Sequence, residues 1–506
     1  MSGFGSEKSN NFTLRRLQAK SEKIYFFLIC AWILVCGFFY LKLSLNPVCD
    51  YDESYTVSMV SHSFREIVSI TSQDVHSPLY YFMVKIFSLI PGLDYIIASK
   101  IFSYVCTMLF LIWSAFAVRS RYGMGTAFDF VFIASVTPMM ISQVCNARMY
   151  TAGLLFYFIA LFEGYLLFES VKKKRVLAFI FASVLTVYLH HVFMTMMVIV
   201  YLIFLLVSLI KKRYSLFRTY LLCGVVTGAS FLPWFFVMLR QFKNRNETGA
   251  VMYSLSDFAW YKENLYAWKD ELFSGAFYDY GWMIRFWMIA IVIMIPGLVL
   301  HIRRHRYDFL PVLGPVVMAL TFLVPGILLL MYSGQFFARY AFPGYAGIWL
   351  YMAVSMSSRK NAPKLVKPVL GLVRIAVLGA ALYFGVKTYE AQYNALDRSG
   401  IDAYLKCMDQ VEEGDAVMFS DTWSSLLQIY DEDKDYWIYG YNPVGMPFYY
   451  KGVYTMSSQM DEYSRVWMVG NDTVEIANMG DDYAEIERFE FDHQSYHFIV
   501  KLYKKS

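Results

Sequence analysis

The 506-residue chain is 58% hydrophobic and only 17% charged, with a net charge of +5 and a mean hydropathy of +0.41. A soluble protein carries about a quarter charged residues, so a single water-soluble globule is excluded. The basic residues are spread among short loops, which argues against nucleic acid as a partner.

The N-terminus is polar and basic through Lys23. The apolar run 24–43 is read as a retained membrane helix, since no small-residue cleavage site follows it. Further runs fit a hydrocarbon core of about 30 Å. They lie at 95–118, 127–145, 149–170, 176–190, 192–210, 217–240, 282–300, 308–332, 336–356 and 366–388, making eleven expected spans. The run 78–91 is shorter, contains Lys85 and ends at Pro91-Gly92, so it is expected to lie at the interface. All the basic clusters then fall on one side: the N-terminus, Arg119/Arg121, 172–175, 211–213, 303–306 and Arg359/Lys360. By the positive-inside rule that side is cytoplasmic. If 78–91 crossed, every cluster after the first would turn outward. The N-terminus is therefore expected in the cytoplasm, with the loops 44–94 and 241–281 and the tail outside.

From Glu390 to Ser506 there are 22 acidic and 9 basic residues, whereas residues 1–389 hold 36 basic and 18 acidic. Two domains are expected, a polytopic α-helical membrane part at 1–389 and a small extracytoplasmic α/β domain at 390–506. In the tail, 401–411 and Thr422–Tyr430 read as helices, and 416–419, 436–439, 466–469, 486–491 and 496–503 as strands. The seven cysteines form no Cys-x-x-Cys pair. Cys49 and Cys407 lie outside the bilayer, where a disulfide between them is open.

The residues that suggest chemistry gather in the first outer loop. Asp50-Tyr51-Asp52-Glu53 follows the first span, and Asp74-x-His76-Ser77-Pro78-Leu79-Tyr80-Tyr81 precedes the next. Carboxylates at a bilayer surface are costly unless they bind or react; the plainer alternative is that Asp50, Asp52 and Glu53 cap a helix. Ser63 and Glu66 have capping-box spacing. His76 could bind phosphate, shuttle a proton or ligate a metal, or be an ordinary surface histidine. Tyr81 suits a substrate contact or an interfacial anchor. Arg148, with Tyr150 beyond it, and Arg339 lie near outer span ends, where a guanidinium can fork onto phosphate or snorkel to headgroups. His190 and His191 sit at another outer end, and at most one is expected to face a site. Glu163 and Arg374 fall inside apolar runs, where a structural ion pair is the plain reading. The nucleotide-binding Gly-rich loops do not occur, so any transferred group should arrive on a membrane-bound donor.

This pattern resembles the GT-C glycosyltransferases, in particular the bacterial branch of aminoarabinose transferases and protein O-mannosyltransferase relatives. The resemblance rests on Asp52-Glu53, on Asp74-x-His76-x-Pro78-Leu79-Tyr80-Tyr81, and on Ala338-Arg339-Tyr340 followed by Pro343. The family often has two prolines after the histidine, where this chain has Ser77-Pro78. The resemblance implies a plasma-membrane enzyme with its active site in the outer loop 44–94. It would move a sugar from a polyprenyl-phosphate donor to a hydroxyl of a glycan, lipid or protein, with inversion. Asp52 would be the general base, with Glu53 and Asp74 as further catalytic carboxylates. His76, Arg148, Tyr150 and Arg339 would bind the donor phosphate, and a divalent ion held by Asp74 and His76 is optional. The alternatives are a transporter or flippase of a lipid-linked or polar substrate, and a polysaccharide polymerase or ligase using the loop with Lys262, Glu263, Lys269, Asp270 and Glu271.

Overall fold

The computed structural model describes residues 4–506 except 75, 248–257, 275–280, 307, 334–335, 365, 421–423, 432–435, 440–452, 457–462, 472–481 and 495. It is mostly helical. The first helix, α1 (Phe4–Ser44), leads to three short helices: α2 (Tyr51–Ser61), α3 (Phe64–Gln73) and α4 (Leu79–Phe87). The bundle continues as α5 (Tyr95–Tyr122), α6 (Met124–Val136), α7 (Pro138–Val144), α8 (Tyr150–Leu166), α9 (Lys173–Leu189), α10 (His191–Ile210) and α11 (Tyr214–Glu247). It closes with α12 (Phe258–Ser274), α13 (Gly281–Ile293), α14 (Ile295–Arg304), α15 (Leu310–Thr321), α16 (Ile327–Ser333), α17 (Tyr345–Ser357) and α18 (Val366–Ala395).

The chain is a multi-span membrane protein, and the count of eleven spans is only partly visible in helix length. Among the described residues, seven helical stretches are long and apolar enough to cross a membrane, or eight with α6 and α7 taken together. The run 127–145 is broken at Thr137-Pro138, and its halves meet at 66°. Proline cannot donate to the turn before it, and Pro138 instead opens α7 at its first position. The runs expected at 149–170, 176–190 and 336–356 are carried by shorter helices, of 17, 17 and 13 residues. With nine residues, α4 is about 13 Å long, too short to cross, as expected of an interfacial element.

The apolar pattern explains the packing. Outward residues such as Phe27, Leu34, Phe38, Leu372 and Ile375 are exposed and apolar, as a lipid-facing surface requires. Gly314 and Gly347 let α15 and α17 touch backbone to backbone, since a Cβ on either would strike the backbone of the other helix. Gly123 turns α5 into α6 with φ +86, a conformation that favours glycine.

The tail holds α19 (Ser399–Met408) and a six-stranded sheet. Its strands are β1 (Ala416–Phe419), β2 (Tyr436–Tyr439), β3 (Val453–Met456), β4 (Arg465–Asn471), β5 (Tyr483–His493) and β6 (Tyr496–Lys505). The order is β3-β2-β1-β4-β6-β5, with β1–β4 parallel and β5 and β6 antiparallel at one edge. The five expected strands are present, and β3 is an addition. The helix read at Thr422–Tyr430 is a 3₁₀ turn at Ser424–Tyr430, its first residues lying outside the described set.

This domain rests on the loop between α1 and α5. Cys49, Val57, Tyr404, Cys407, Trp467 and Phe498 share one buried cluster. The Cys49 amide donates to the Tyr430 hydroxyl at 2.8 Å, and Asn46 Nδ2 donates to the Leu396 carbonyl at 2.7 Å. Cys49 and Cys407 are both buried free thiols, so the disulfide left open is not formed. Deep in the bundle, Arg374 forks onto Asp129 of α6 at 2.5–3.1 Å. Its partner is Asp129, and no pair with Glu163 forms.

Candidate active site

The loop between α1 and α5 is folded by its own caps. Asp50 accepts the Glu53 amide at 2.8 Å while Glu53 Oε2 accepts the Asp50 amide at 3.0 Å. Ser63 and Glu66 close the same motif on α3. Gln241 of α11 bridges the end of α3 and the residues before α4, donating to the Thr71 carbonyl at 2.6 Å and the His76 carbonyl at 3.4 Å.

Glu53 therefore does not stand in the open site with Asp52. Its Oε1 accepts the Ala147 amide at 2.8 Å and lies 3.7 Å from Lys100 Nζ, a fully buried ammonium. The cap and the buried pair engage both oxygens, and they tie α2 to α5 and to the turn before α8. Glu53, expected among the catalytic carboxylates, thus has both oxygens engaged in contacts that hold the loop together. Burial and the neighbouring Glu53 and Asp52 charges push the Asp50 carboxyl up to about 7.

Asp52 is placed differently. Being one position after the first helical residue, it points away from the cap, and its Oδ2 accepts from Arg339 Nη2 at 3.1 Å. Arg148 donates to the Asp52 carbonyl at 3.1 Å and to His76 Nε2 at 3.0 Å. Arginine only donates, so His76 Nε2 accepts and its proton sits on Nδ1, facing Asp74 Oδ2 at 2.6 Å. The Tyr55 hydroxyl donates to the same Asp74 oxygen at 2.8 Å. Partial burial raises the Asp52 carboxyl, but the Arg148 and Arg339 guanidiniums, helped by His76, outweigh it and hold Asp52 below the usual carboxylate range. Asp52 is ionised.

Aromatic rings wall this cluster. Tyr81 lies edge-on to Tyr55 and His76, at 5.8 and 6.4 Å between centroids. Tyr150 stacks on Tyr340 at 6.4 Å, and His190 sits 4.9 Å from Tyr340 and 6.5 Å from His76. His190 Nδ1 accepts the Val192 amide at 3.2 Å, capping α10, and His191 is half-buried beside it. Thus Asp52, Asp74, His76, Tyr81, Arg148, Tyr150, His190 and Arg339 converge from five parts of the chain. Arg148 and Arg339 each bury an Nε–H with no hydrogen-bond partner among the described residues. Buried donors without acceptors are costly, and one on each of two neighbouring guanidiniums suits an anionic ligand.

Sequence reasoning passed over Glu271 as a member of this site. It is buried on α12, and its carboxylate accepts the amides of Ala338 and Arg339, capping the 3₁₀ turn Ala338–Gly344 that carries Arg339. Burial raises the Glu271 carboxyl, opposed by Arg339 and the two amides. Nothing in its local spacing reveals a partner 68 positions away.

Asp74 and His76 do not fit the metal pair considered from the sequence. The His76 lone pair faces Arg148, its Nδ1 proton faces Asp74, and two guanidiniums would repel a cation there. No group of three or more His, Cys, Asp or Glu suited to a metal occurs among the described residues.

No protein-family model and no curated protein matches the sequence. Solved structures do match. The aminoarabinose transferase ArnT from Cupriavidus metallidurans, in the apo state, aligns with TM-score 0.57 and 12% identity over 95% of this chain and 98% of its own. This chain has the ArnT fold. The same ArnT bound to undecaprenyl phosphate aligns with TM-score 0.56 and 12% identity, over 94% of this chain and 98% of that one. The archaeal oligosaccharyltransferase AglB from Archaeoglobus fulgidus, in complex with an inhibitory peptide and a dolichol-phosphate, gives 0.50 and 11% identity. That alignment covers 80% of this chain and 63% of AglB. Both neighbours are GT-C glycosyltransferases; this chain shares the helical fold of ArnT, and the expected small C-terminal sheet domain is present.

Proposed function

We propose that this chain is a GT-C glycosyltransferase that moves a sugar from a polyprenyl-phosphate donor to an acceptor hydroxyl at the outer membrane surface. One observation carries the reading: an ionised Asp52 lies against two guanidiniums that have buried, unmatched donors, in a loop at the membrane boundary. A base and a phosphate cradle within one cluster are what displacement at a lipid-linked sugar needs. The ArnT fold, seen with undecaprenyl phosphate in the neighbour, supports a donor of that class.

In this mechanism the acceptor oxygen attacks the sugar C1 as Asp52 takes its proton. The C1–O bond to phosphate breaks, and its electron pair leaves on polyprenyl phosphate, so the anomeric configuration inverts. Arg148 and Arg339 receive the developing charge; one preorganised donor of this kind is worth about 3–4 kcal/mol of barrier. Asp74 and Tyr55 hold His76, and His76 holds Arg148. While Arg339 is bonded to Asp52, the carboxylate is a weak base. A donor phosphate that draws Arg339 onto itself strengthens Asp52 as a base, coupling acceptor activation to donor binding.

The test is to incubate the purified full chain with a panel of polyprenyl-phosphate sugars and envelope acceptors, and to measure free polyprenyl phosphate and glycosylated product. Equal release of both supports the reading. Donors that stay intact but change membrane leaflet would replace the transferase with a flippase.

A further inference from the structure

The opposite pole of the bundle holds a second polar site that the proposed reaction does not use. A cleft of about 930 Å³ opens between the far ends of α5, α8, α10, α14 and α15. Along α8, from Tyr150 at the candidate active site to Tyr165 at this cleft, the separation is about 22 Å. Six cations line it: Arg121, Lys211, Arg213, Arg303, Arg304 and Arg306. Against them stand two carboxylates, Glu169 and Asp308.

Those carboxylates are already engaged. Arg121 pairs with Glu169, and its Nη2 lies 3.2 Å from Asp308 Oδ1. Asp308 also accepts from the hydroxyls of Tyr122 at 3.2 Å and Tyr165 at 3.0 Å, and meets His301 Nε2 at 2.9 Å. The Asp308, His301 and Tyr165 part of this network is buried and forms the floor of the cleft. Above it, Arg303 and Arg306 are exposed and have no carboxylate partner among the described residues. The excess charge is therefore held in a shaped cleft with a pinned base. Apolar side chains rim the same helix ends: Leu209 and Ile210 on α10 are 44% and 70% exposed, and Val299 and Ile302 on α14 are 40% and 37% exposed.

We infer that this cleft binds a phosphate-bearing head group, with the exposed rim of α10 and α14 receiving the acyl chains of an anionic lipid. Guanidiniums match phosphate oxygens in pairs, and basic pockets between spans bind anionic head groups at the cytoplasmic side. The positive-inside rule accounts for basic residues at span ends in general. It does not account for their convergence on a cleft whose acids are neutralised from below. Lys172, Lys173 and Lys174 are an exposed basic run that does not line the cleft, and they supply the internal comparison.

The experiment uses the full chain in neutral detergent, with bound lipid counted by native mass spectrometry. The probes are phosphatidylglycerol, zwitterionic phosphatidylcholine of the same chains, and soluble glycerol phosphate. Phosphatidylglycerol should bind at least tenfold more tightly than phosphatidylcholine. R303Q/R304Q/R306Q should lose that preference tenfold or more, while K172Q/K173Q/K174Q keeps it. Should the first triple variant misfold, Lys211→Gln alone should still weaken phosphatidylglycerol binding several-fold. Equal losses in both triple variants, or no preference in the wild type, would overturn the site. Glycerol phosphate binding as tightly as the lipid would overturn the lipid source and assign the cleft to a soluble phosphate ester.

Discussion

Glu271→Gln tests whether the site depends on a residue that never touches the reacting atoms. The Glu271 carboxylate accepts two backbone amides, Ala338 and Arg339, in a buried setting. Glutamine keeps one acceptor oxygen and turns an NH₂ towards the other amide, so one charge-assisted bond is lost. Such a bond is worth about 1.5–3 kcal/mol, and the amide left bare adds about 1–3 kcal/mol. The turn 338–344 then relaxes and Arg339 shifts from Asp52. Misplacement of a positioned group by about 1 Å can cost about 10²-fold in rate, so kcat should fall ten- to a hundredfold. The assay is release of polyprenyl phosphate in a double-mutant cycle with Arg339→Ala. If Glu271 acts through Arg339, adding Glu271→Gln to Arg339→Ala should cost under threefold more. Full additivity of the two losses would refute the positioning role, as would wild-type turnover in Glu271→Gln.

Glu53→Gln should destabilise the protein by about 3–5 kcal/mol, because it strands the buried Lys100 charge. Thermal unfolding should show the loss, and Glu53→Gln with Lys100→Met should recover much of it; no recovery would mean that the pair is not the cause. For pH, the Arg148 and Arg339 charges hold Asp52 below the ordinary carboxylate range in the free protein, and donor phosphate should weaken that hold. The acid limb of kcat is then expected at higher pH than that of kcat/KM for the donor, which reports the free enzyme; superimposed limbs would contradict the coupling. Chelator treatment should leave turnover unchanged, since Asp74 and His76 face each other, Tyr55 and Arg148; loss restored by a divalent ion would overturn that expectation.

Much of the architecture was legible because bilayer physics acts locally. Apolar run length, the short interfacial run before Pro91 and the sidedness of lysine and arginine need no tertiary knowledge. The first loop also stood out as a candidate, because a dense acidic and aromatic loop beside a span has few structural uses. The roles within it were not legible. Asp50, Asp52 and Glu53 are consecutive or nearly so, and the helix-capping alternative holds for Asp50 and Glu53 but not for Asp52. What separates them is Lys100, Ala147 and Arg339, contacts 47, 94 and 287 positions away. Lys100 and Asp129 did leave a signal, as ionisable residues inside apolar runs. Pro138 lies inside the run 127–145, which apolar run length alone reads as one unbroken span because it does not register a proline break. Glu271 left no signal, being one more charge in a polar loop.

The central claim is that Asp52 is the base of a lipid-dependent sugar transfer, and single-turnover kinetics with Asp52→Asn addresses it most directly. Asparagine can still accept from Arg339, so the loop should fold and bind donor as before. General-base removal typically costs about 10²–10⁴-fold. Product formation slowed by at least 10²-fold, with donor affinity retained and inverted product in the wild type, is the expected result. An Asp52→Asn protein that turns over within a few-fold of wild type, or a wild-type product with retained anomeric configuration, would contradict it.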